Sequence, residues 1–230
     1  MSVKAALFDL DGTLLDTQKI YDEINQKLIN IYGNKKEYDF DSRKSVIGCP
    51  TNIANKYLLD KFEIKLSLDN FTTLKNEYLI EPLKNCEPME GAKEITNILK
   101  NKYNLKLAVC TSSPKSLWDI KINNHKKWFK ENFDIIITGD DKRIKKGKPN
   151  PDIFILAANE LNVKPEECIV FEDEVNGIEA GLKSGAKIVV ALPNYYFIEN
   201  IKNLKYDKNK SKLCILNSFN DFDYSLLNIS

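Results

Sequence analysis

Short apolar runs alternate with longer segments of helical spacing along this chain, except between residues 16 and 86. That pattern, with its single interruption, constrains the fold most. The runs are Val3–Phe8, Leu105–Cys110, Ile135–Thr138, Ile169–Phe171 and Ile188–Leu192. Each has the length of a buried strand, and Gly, Pro or polar residues follow most of them. Between them Ala92, Ile95, Ile98 and Leu99 keep one helical face, as do Ile153, Leu156, Ala157 and Leu161 behind Pro151-Asp152. Ile178, Ala180 and Leu182 mark a third helix, closed by Gly185. Strands alternating with helices predict βαβ units: a Rossmann-like α/β core with a mostly parallel sheet and helices on both faces. In such sheets, ligand sites gather beyond the carboxyl ends of the strands.

The interruption reads as helices only. Ile20, Ile24, Leu28 and Ile31 keep one face, Ile53, Tyr57 and Leu58 another, and Leu74 to Leu83 continues in the same style. A small all-α helical bundle inserted after the first strand is the simplest account. Residues 1–15 and 87–230 then form the core and 16–86 the insert, with Pro82, Pro88 and Gly91 marking the return. A length of 230 residues suits one domain carrying such an insert. The Lys- and Asn-rich segment Asn203 to Lys212 is expected to be a mobile surface loop.

Composition narrows the classes. There are 34 Lys and Arg against 33 Asp and Glu, which offers no case for a nucleic-acid or acidic-membrane partner. Cys49, Cys86, Cys110, Cys168 and Cys214 form no CxxC and no cluster with the one His, so neither a zinc site nor a disulfide framework is expected. The first apolar run is short and ends in acid, unlike a secretory signal. No stretch approaches the ~20 apolar residues of a membrane span. The expectation is a cytoplasmic monomer. His125 is expected at the surface or at a helix end, and Trp118 and Trp128 in the core.

Four polar signals follow strands or precede helices. Asp9-Leu10-Asp11-Gly12-Thr13 comes directly after the first run. Carboxylates at i and i+2 leave a strand on one face, and Gly12 permits a turn beyond it. An acidic β-turn is the plainer reading of Asp-x-Asp, yet the full pattern arises by chance in such a chain only on the order of a few times in a thousand. Thr111, Ser112 and Ser113 follow the second run, where Ser113-Pro114 also suits a helix N-cap. Lys148-Pro149-Asn150-Pro151-Asp152 precedes a helix, amid Lys142, Lys145 and Lys146. Glu172-Asp173 ends the fourth run, with Gly177 shortly after. Each alone is explicable as a cap or a solvated loop; four at one sheet edge are not. Asp9 and Asp173, with Glu172, supply hard oxygens suited to Mg²⁺. Lys148 and the Thr111 hydroxyl can neutralise a phosphoryl group. One carboxylate can attack phosphorus while a second exchanges protons.

These motifs, in this order and spacing, resemble the haloacid dehalogenase-like superfamily of aspartate-nucleophile phosphohydrolases over nearly the whole chain. The resemblance implies Asp9 as nucleophile and Asp11 as general acid/base. It implies phosphate binding by Thr111, Ser112 and Lys148. It also implies Mg²⁺ held by Asp9, Asp173 and the Asp11 main-chain carbonyl, with Glu172 in support. The insert at 16–86 is similar to the family's small helical cap, so Thr17, Tyr21 and Arg43 become candidates for substrate selection, with Asn52 and Lys75 behind them. Leu14-Leu15-Asp16-Thr17 through Tyr21, Asn124-His125-Lys126-Lys127-Trp128-Phe129 and Gly139-Asp140-Asp141 look like the subgroup of pseudouridine-5′-phosphatases and glycerol-3-phosphatase / 2-deoxyglucose-6-phosphatases. The implied substrate is a small phosphorylated metabolite: a sugar phosphate, glycerol phosphate or pseudouridine 5′-phosphate.

Three enzymatic rivals and one silent one remain. A dehalogenase of this fold lacks the second aspartate and the metal carboxylates, and a phosphonatase carries Ala at the Asp11 position. A β-phosphoglucomutase-like sugar phosphomutase keeps all four motifs but relies on a cap His a dozen residues after the nucleophile, where this chain has Tyr21. Hydrolysis is therefore favoured over transfer. A binding protein without catalysis would be expected to have lost some of these motif residues.

Overall fold

The computed structural model describes residues 2–47, 49, 51–192 and 198–227. Six strands form one sheet: β1 (Ala5–Phe8), β2 (Lys106–Cys110), β3 (Ile135–Ile137), β4 (Cys168–Glu172), β5 (Ile188–Ala191) and β6 (Lys212–Ile215). Their order is β3-β2-β1-β4-β5-β6 and every pairing is parallel. The strands β1, β4 and β5 are buried along their whole length. Burial on both faces explains why they read as continuous apolar runs rather than as alternating ones.

Side-chain alternation divides the core into two layers. Ala5, Leu7, Ala108, Cys110, Val170 and Val189 face one cluster, built with helices α8 (Asp152–Glu160) and α9 (Val175–Ser184). Phe8 and Phe171 point the other way. Their rings stack at 4.5 Å and meet Phe133 and Phe219. On that side α5 (Ala92–Asn101) packs against β2 and against α7 (Lys126–Asn132). The Trp128 indole N–H donates to Thr96 Oγ1 at 3.0 Å. Between β2 and α7 lies α6 (Lys115–Lys121).

Two expectations need correction here. The Asn203 to Lys212 segment is not all loop. Leu204 and Tyr206 pack against the core cluster, and Lys212 opens β6. An edge strand that starts with Lys and is only partly buried carries no strong apolar signal, which is why it is absent from the apolar runs. His125 does sit at a helix end, but it is buried with its ring edge-on to Trp128, not at the surface.

Contacts separate a second unit, Asp16–Cys86, from Met1–Leu15 with Glu87–Ser230. It contains α1 (Gln18–Tyr32), α2 (Phe40–Val46), α3 (Thr51–Lys61) and α4 (Leu68–Lys84). Asp39 caps α2 and Ser67 caps α4, each accepting a backbone N–H from the first turn. The apolar faces differ from those expected. Ile31 and Ile53 are exposed, and the buried positions of α1 are Ile24, Asn25, Leu28 and Ile29. In α4 the buried stripe Phe71, Lys75, Leu79, Leu83 repeats every four residues and includes a lysine. Pro82 does not mark the return of the chain; it lies inside the last turn of α4.

Candidate active site

Register brings the motifs together. β1 sits between β2 and β4, and Phe8 is level with Val109 on one side and Phe171 on the other. The residues just past the strand ends, Asp9, Thr111 and Asp173, therefore emerge side by side at the carboxyl edge. This is the point where the strand order reverses, the usual ligand crevice of such sheets. The Asp9 N–H donates to the Phe171 carbonyl at 3.0 Å, which extends the ladder to the nucleophile candidate.

The turn after Asp9 is fitted to Asp173. Gly12 adopts φ +81°, and a Cβ there would stand 2.2 Å from Asp173 Oδ2. Only glycine meets both demands. The buried Thr13 hydroxyl donates to Asp173 Oδ1 at 3.1 Å. Glu172 is wrapped as closely. Its Oε2 accepts the N–H groups of Asp173 and Glu174, and a Cβ on Gly177 would stand 1.7 Å from its Oε1.

Lys148 enters from the loop before α8. Asp152 folds that loop by accepting the N–H groups of Lys145 and Lys146. The buried Lys148 Nζ donates to Asp9 Oδ1 at 2.5 Å, Glu172 Oε1 at 2.6 Å and the Cys110 carbonyl at 2.9 Å. Its ammonium lies 5.2 Å from the Phe154 ring centre. Burial alone would pull the ammonium down, but Asp9 and Glu172 outweigh it and hold the charge above the ordinary lysine range.

Asp9, Glu172 and Asp173 offer oxygens that all lie within 4.8 Å of one another. Burial pushes Asp9 well above the usual carboxylate range against the pull of Lys148, and Glu172 and Asp11 push the same way. Burial likewise raises Asp173, with Glu174, Glu172 and Asp9 adding to it. Crowded, buried, hard oxygen donors whose mutual repulsion one ammonium does not cancel fit a small divalent cation.

Asp11 points elsewhere. Its Oδ1 is 2.5 Å from Lys121 Nζ and its Oδ2 accepts from Ser113 Oγ at 2.8 Å. Ser113 is thus turned to Asp11 rather than to a helix end; Pro114 is the N-cap of α6. Thr111 is buried, and its Oγ1 accepts the Ser113 N–H at 3.0 Å. Ser112 is exposed, and its carbonyl lies where a Cβ on Gly139 would reach. Lys121 is the residue that the sequence did not single out. The signal available was slight: a lysine three residues after Trp118 and between Ile120 and Ile122.

The helical candidates belong to the second unit. Thr17, at the start of α1, is buried, and its carbonyl accepts the Tyr21 N–H at 3.1 Å. Arg43 pairs with Asp22 at 2.8 Å. Burial raises Asp22 to about 6 despite Arg43.

Comparison with known proteins supplies the context. The family model for haloacid dehalogenase-like hydrolases matches residues 3–185. A protein of Saccharomyces cerevisiae, provisionally named a pseudouridine-5′-phosphatase, is 36% identical over 199 residues, 82% of each chain. A phosphorylated carbohydrates phosphatase of Thermotoga maritima is 34% identical over 188 residues, covering 80% of this chain and 82% of its own. A solved structure from the same organism, provisionally assigned as a β-phosphoglucomutase, aligns with a TM-score of 0.70 at 28% identity, covering 93% of this chain and 94% of that one.

Proposed function

The chain belongs to the haloacid dehalogenase-like hydrolase family, and on that footing we propose that it is a Mg²⁺-dependent phosphatase of small phosphorylated metabolites. Sugar phosphates, glycerol phosphate and pseudouridine 5′-phosphate are the candidate substrates; the first and last are in keeping with the names of the relatives given above. One observation carries the reading: Asp9 is buried against Lys148 and two further carboxylates, while Asp11, two residues on, is held apart from them.

Asp9, Asp173 and the Asp11 main-chain carbonyl would hold the metal, with Glu172 behind them. When bound, the ion supplies positive charge to the phosphoryl oxygens and offsets the crowded carboxylates. Lys148, Thr111 and Ser112 receive the phosphoryl group. An Asp9 oxygen attacks phosphorus and the ester P–O bond breaks. The departing alkoxide takes the proton of the Asp11 carboxyl, leaving an aspartyl-phosphate and an alcohol. Asp11, now a carboxylate, takes a proton from water. The resulting hydroxide attacks phosphorus, the Asp9 O–P bond breaks, and phosphate leaves. The helical unit at 16–86 acts as the cap that selects the alcohol, with Thr17, Tyr21 and Arg43 as its contacts. The enzyme works in the cytoplasm, where its five cysteines remain free thiols.

The likeness to a β-phosphoglucomutase keeps transfer as the second reading. Tyr21 stands where that mechanism needs His, and His125 is buried beside Trp128. Phosphate release from a panel of sugar phosphates, glycerol 3-phosphate, pseudouridine 5′-phosphate and p-nitrophenyl phosphate, with Mg²⁺ and with EDTA, separates the two. Mg²⁺-dependent release that Asp9→Asn lowers by about a thousandfold or more supports hydrolysis. Isomerised sugar phosphate without release would establish the mutase instead.

A further inference from the structure

Lys121 has no part in the reaction as written above, yet it is the most completely buried lysine among the described residues. Its side chain has no exposed surface, and it lies at the last position of α6, the helix that follows β2. A buried ammonium is costly unless it is paired and hydrogen-bonded. Here its partners include two groups at the site. Nζ donates to Asp11 Oδ1 at 2.5 Å and to Ser113 Oγ at 2.8 Å. The Ser113 hydroxyl, having accepted from the ammonium, turns its own proton to Asp11 Oδ2 at 2.8 Å. The three contacts close a triangle in which both carboxylate oxygens of Asp11 are held by donors. The triangle is braced behind. Ser113 N–H donates to Thr111 Oγ1, the Ser113 carbonyl accepts the Gly139 N–H at 2.9 Å, and Asp140 Oδ1 accepts the Lys115 N–H.

From this geometry we infer that Lys121, through Ser113, is a positioning residue for the Asp11 carboxyl. The inference rests on the reading of Asp11 as the group that gives and takes the proton. In both half-reactions one carboxyl must present an oxygen at the same spot, first to the leaving oxygen and then to water. The side chain of Asp11 is 29% exposed, and two torsions set where its oxygens lie. The triangle fixes those torsions, and a displacement of about 1 Å costs on the order of a hundredfold. Lys148 and the metal-fitting cluster involve other atoms, and Thr111 meets Ser113 through its backbone N–H, so loss of the Lys121 ammonium is expected to leave phosphoryl binding largely intact.

The test compares kcat/KM on two kinds of leaving group. An alkyl phosphate, the member of the panel that the wild type turns over fastest, needs a proton on its departing oxygen. p-Nitrophenyl phosphate leaves as a stable phenolate and needs little help. Lys121→Met, close to isosteric, is expected to lower kcat/KM for the alkyl phosphate about tenfold to a hundredfold, part of the ordinary range of general acid catalysis. The value for p-nitrophenyl phosphate should change less than about threefold, and the inhibition constant of inorganic phosphate should hold. Ser113→Ala should show the same selectivity to a smaller extent, and provides the answer if Lys121→Met does not fold. In an Asp11→Asn background, Lys121→Met should add less than about twofold, because it acts through Asp11. Equal losses on both leaving groups, full additivity with Asp11→Asn, or an unchanged or higher alkyl-phosphate rate would overturn the proposal. Asp11→Asn, alone, tests the reading beneath it. If that variant shows no leaving-group selectivity, or the wild type turns over no phosphomonoester, the role of Asp11 falls and the proposal falls with it.

Discussion

Lys148 and Lys75 are both buried, and their surroundings drive them in opposite directions. Lys148, at the carboxyl edge of the sheet, faces Asp9 and Glu172, which outweigh its burial and keep its charge. Lys75, in the buried stripe of α4, donates to Asn55 Oδ1 at 3.2 Å, and Asp22 is the carboxylate that favours its charge. Burial wins there and lowers it to about 8. The same side chain and the same loss of water thus give opposite outcomes, decided by the partners. Other buried polar groups of the helical unit are less completely partnered. Asn25 Oδ1 and Tyr38 Oη are buried without a hydrogen bond that meets normal geometry, and burial, with Asp22 next, raises the Tyr38 phenol well beyond its ordinary range. Among the described residues, the groups around Lys148 are thus fitted to one another more closely than these two.

Replacing each lysine by methionine is the sharpest way to break this comparison. Lys148→Met leaves Asp9 and Glu172 buried with their ammonium gone. Turnover should be lost, and stability to denaturant should drop by about 3–5 kcal/mol, the usual effect of breaking a buried pair from one side. Mg²⁺ should recover more stability in this variant than in the wild type, since the ion takes over part of the lost charge. Equal Mg²⁺ responses would count against a metal at Asp9 and Asp173. Gly12→Ala should act next most strongly. It places a Cβ at φ +81° against Asp173 Oδ2, so the Mg²⁺ concentration for half-maximal activity should rise by about tenfold or more, with a backbone cost of about 1 kcal/mol or more. An unchanged Mg²⁺ requirement would show that Asp173 is not a ligand.

Lys75→Met should affect turnover least, and the pH dependence of its effect on stability is confined to a window. The folded-state pKa of Lys75 lies below its unfolded value, so its burial costs most below pH about 8, where it is charged in both states. As pH rises from about 8 toward 10.5, the unfolded chain holds the proton that the folded one has lost, and stability increases. The wild type should therefore gain roughly 3 kcal/mol relative to Lys75→Met across that window. Urea midpoints at several pH values measure it, and a difference that stays flat with pH would mean that Lys75 is not held in a low-dielectric place.

Much of the fold was legible because its signals are local. Five of the six strands are runs of apolar, mostly branched residues bounded by polar ones, and the interval from Asp16 to Cys86 lacks any such run. The edge strand β6 escaped notice because an edge tolerates Lys212 and partial exposure. In the helices, spacing told that Ile20, Ile24, Leu28 and Ile31 share a face but not which way that face turns. Ile29 and Asn25 went inside and Ile31 outside because neighbouring helices decide where water is excluded.

For the site, the sequence alone determined which residues end up at one sheet edge. A carboxylate directly after a strand must emerge at its carboxyl end, and parallel pairing sets those ends level. Asp9, Thr111 and Asp173 are adjacent for that reason. Their partners were decided by the tertiary structure. Lys148 lies 139 residues from Asp9, and Lys121 lies 110 from Asp11. Lys148 is marked by the Pro-rich segment that follows it, but nothing in the sequence states which carboxylate either lysine meets. Whether a lysine is a solvated charge, a buried base or the clamp on a carboxylate depends on what the fold brings within 3 Å of its nitrogen, because charge in a low-dielectric interior is governed by contacts and not by residue type.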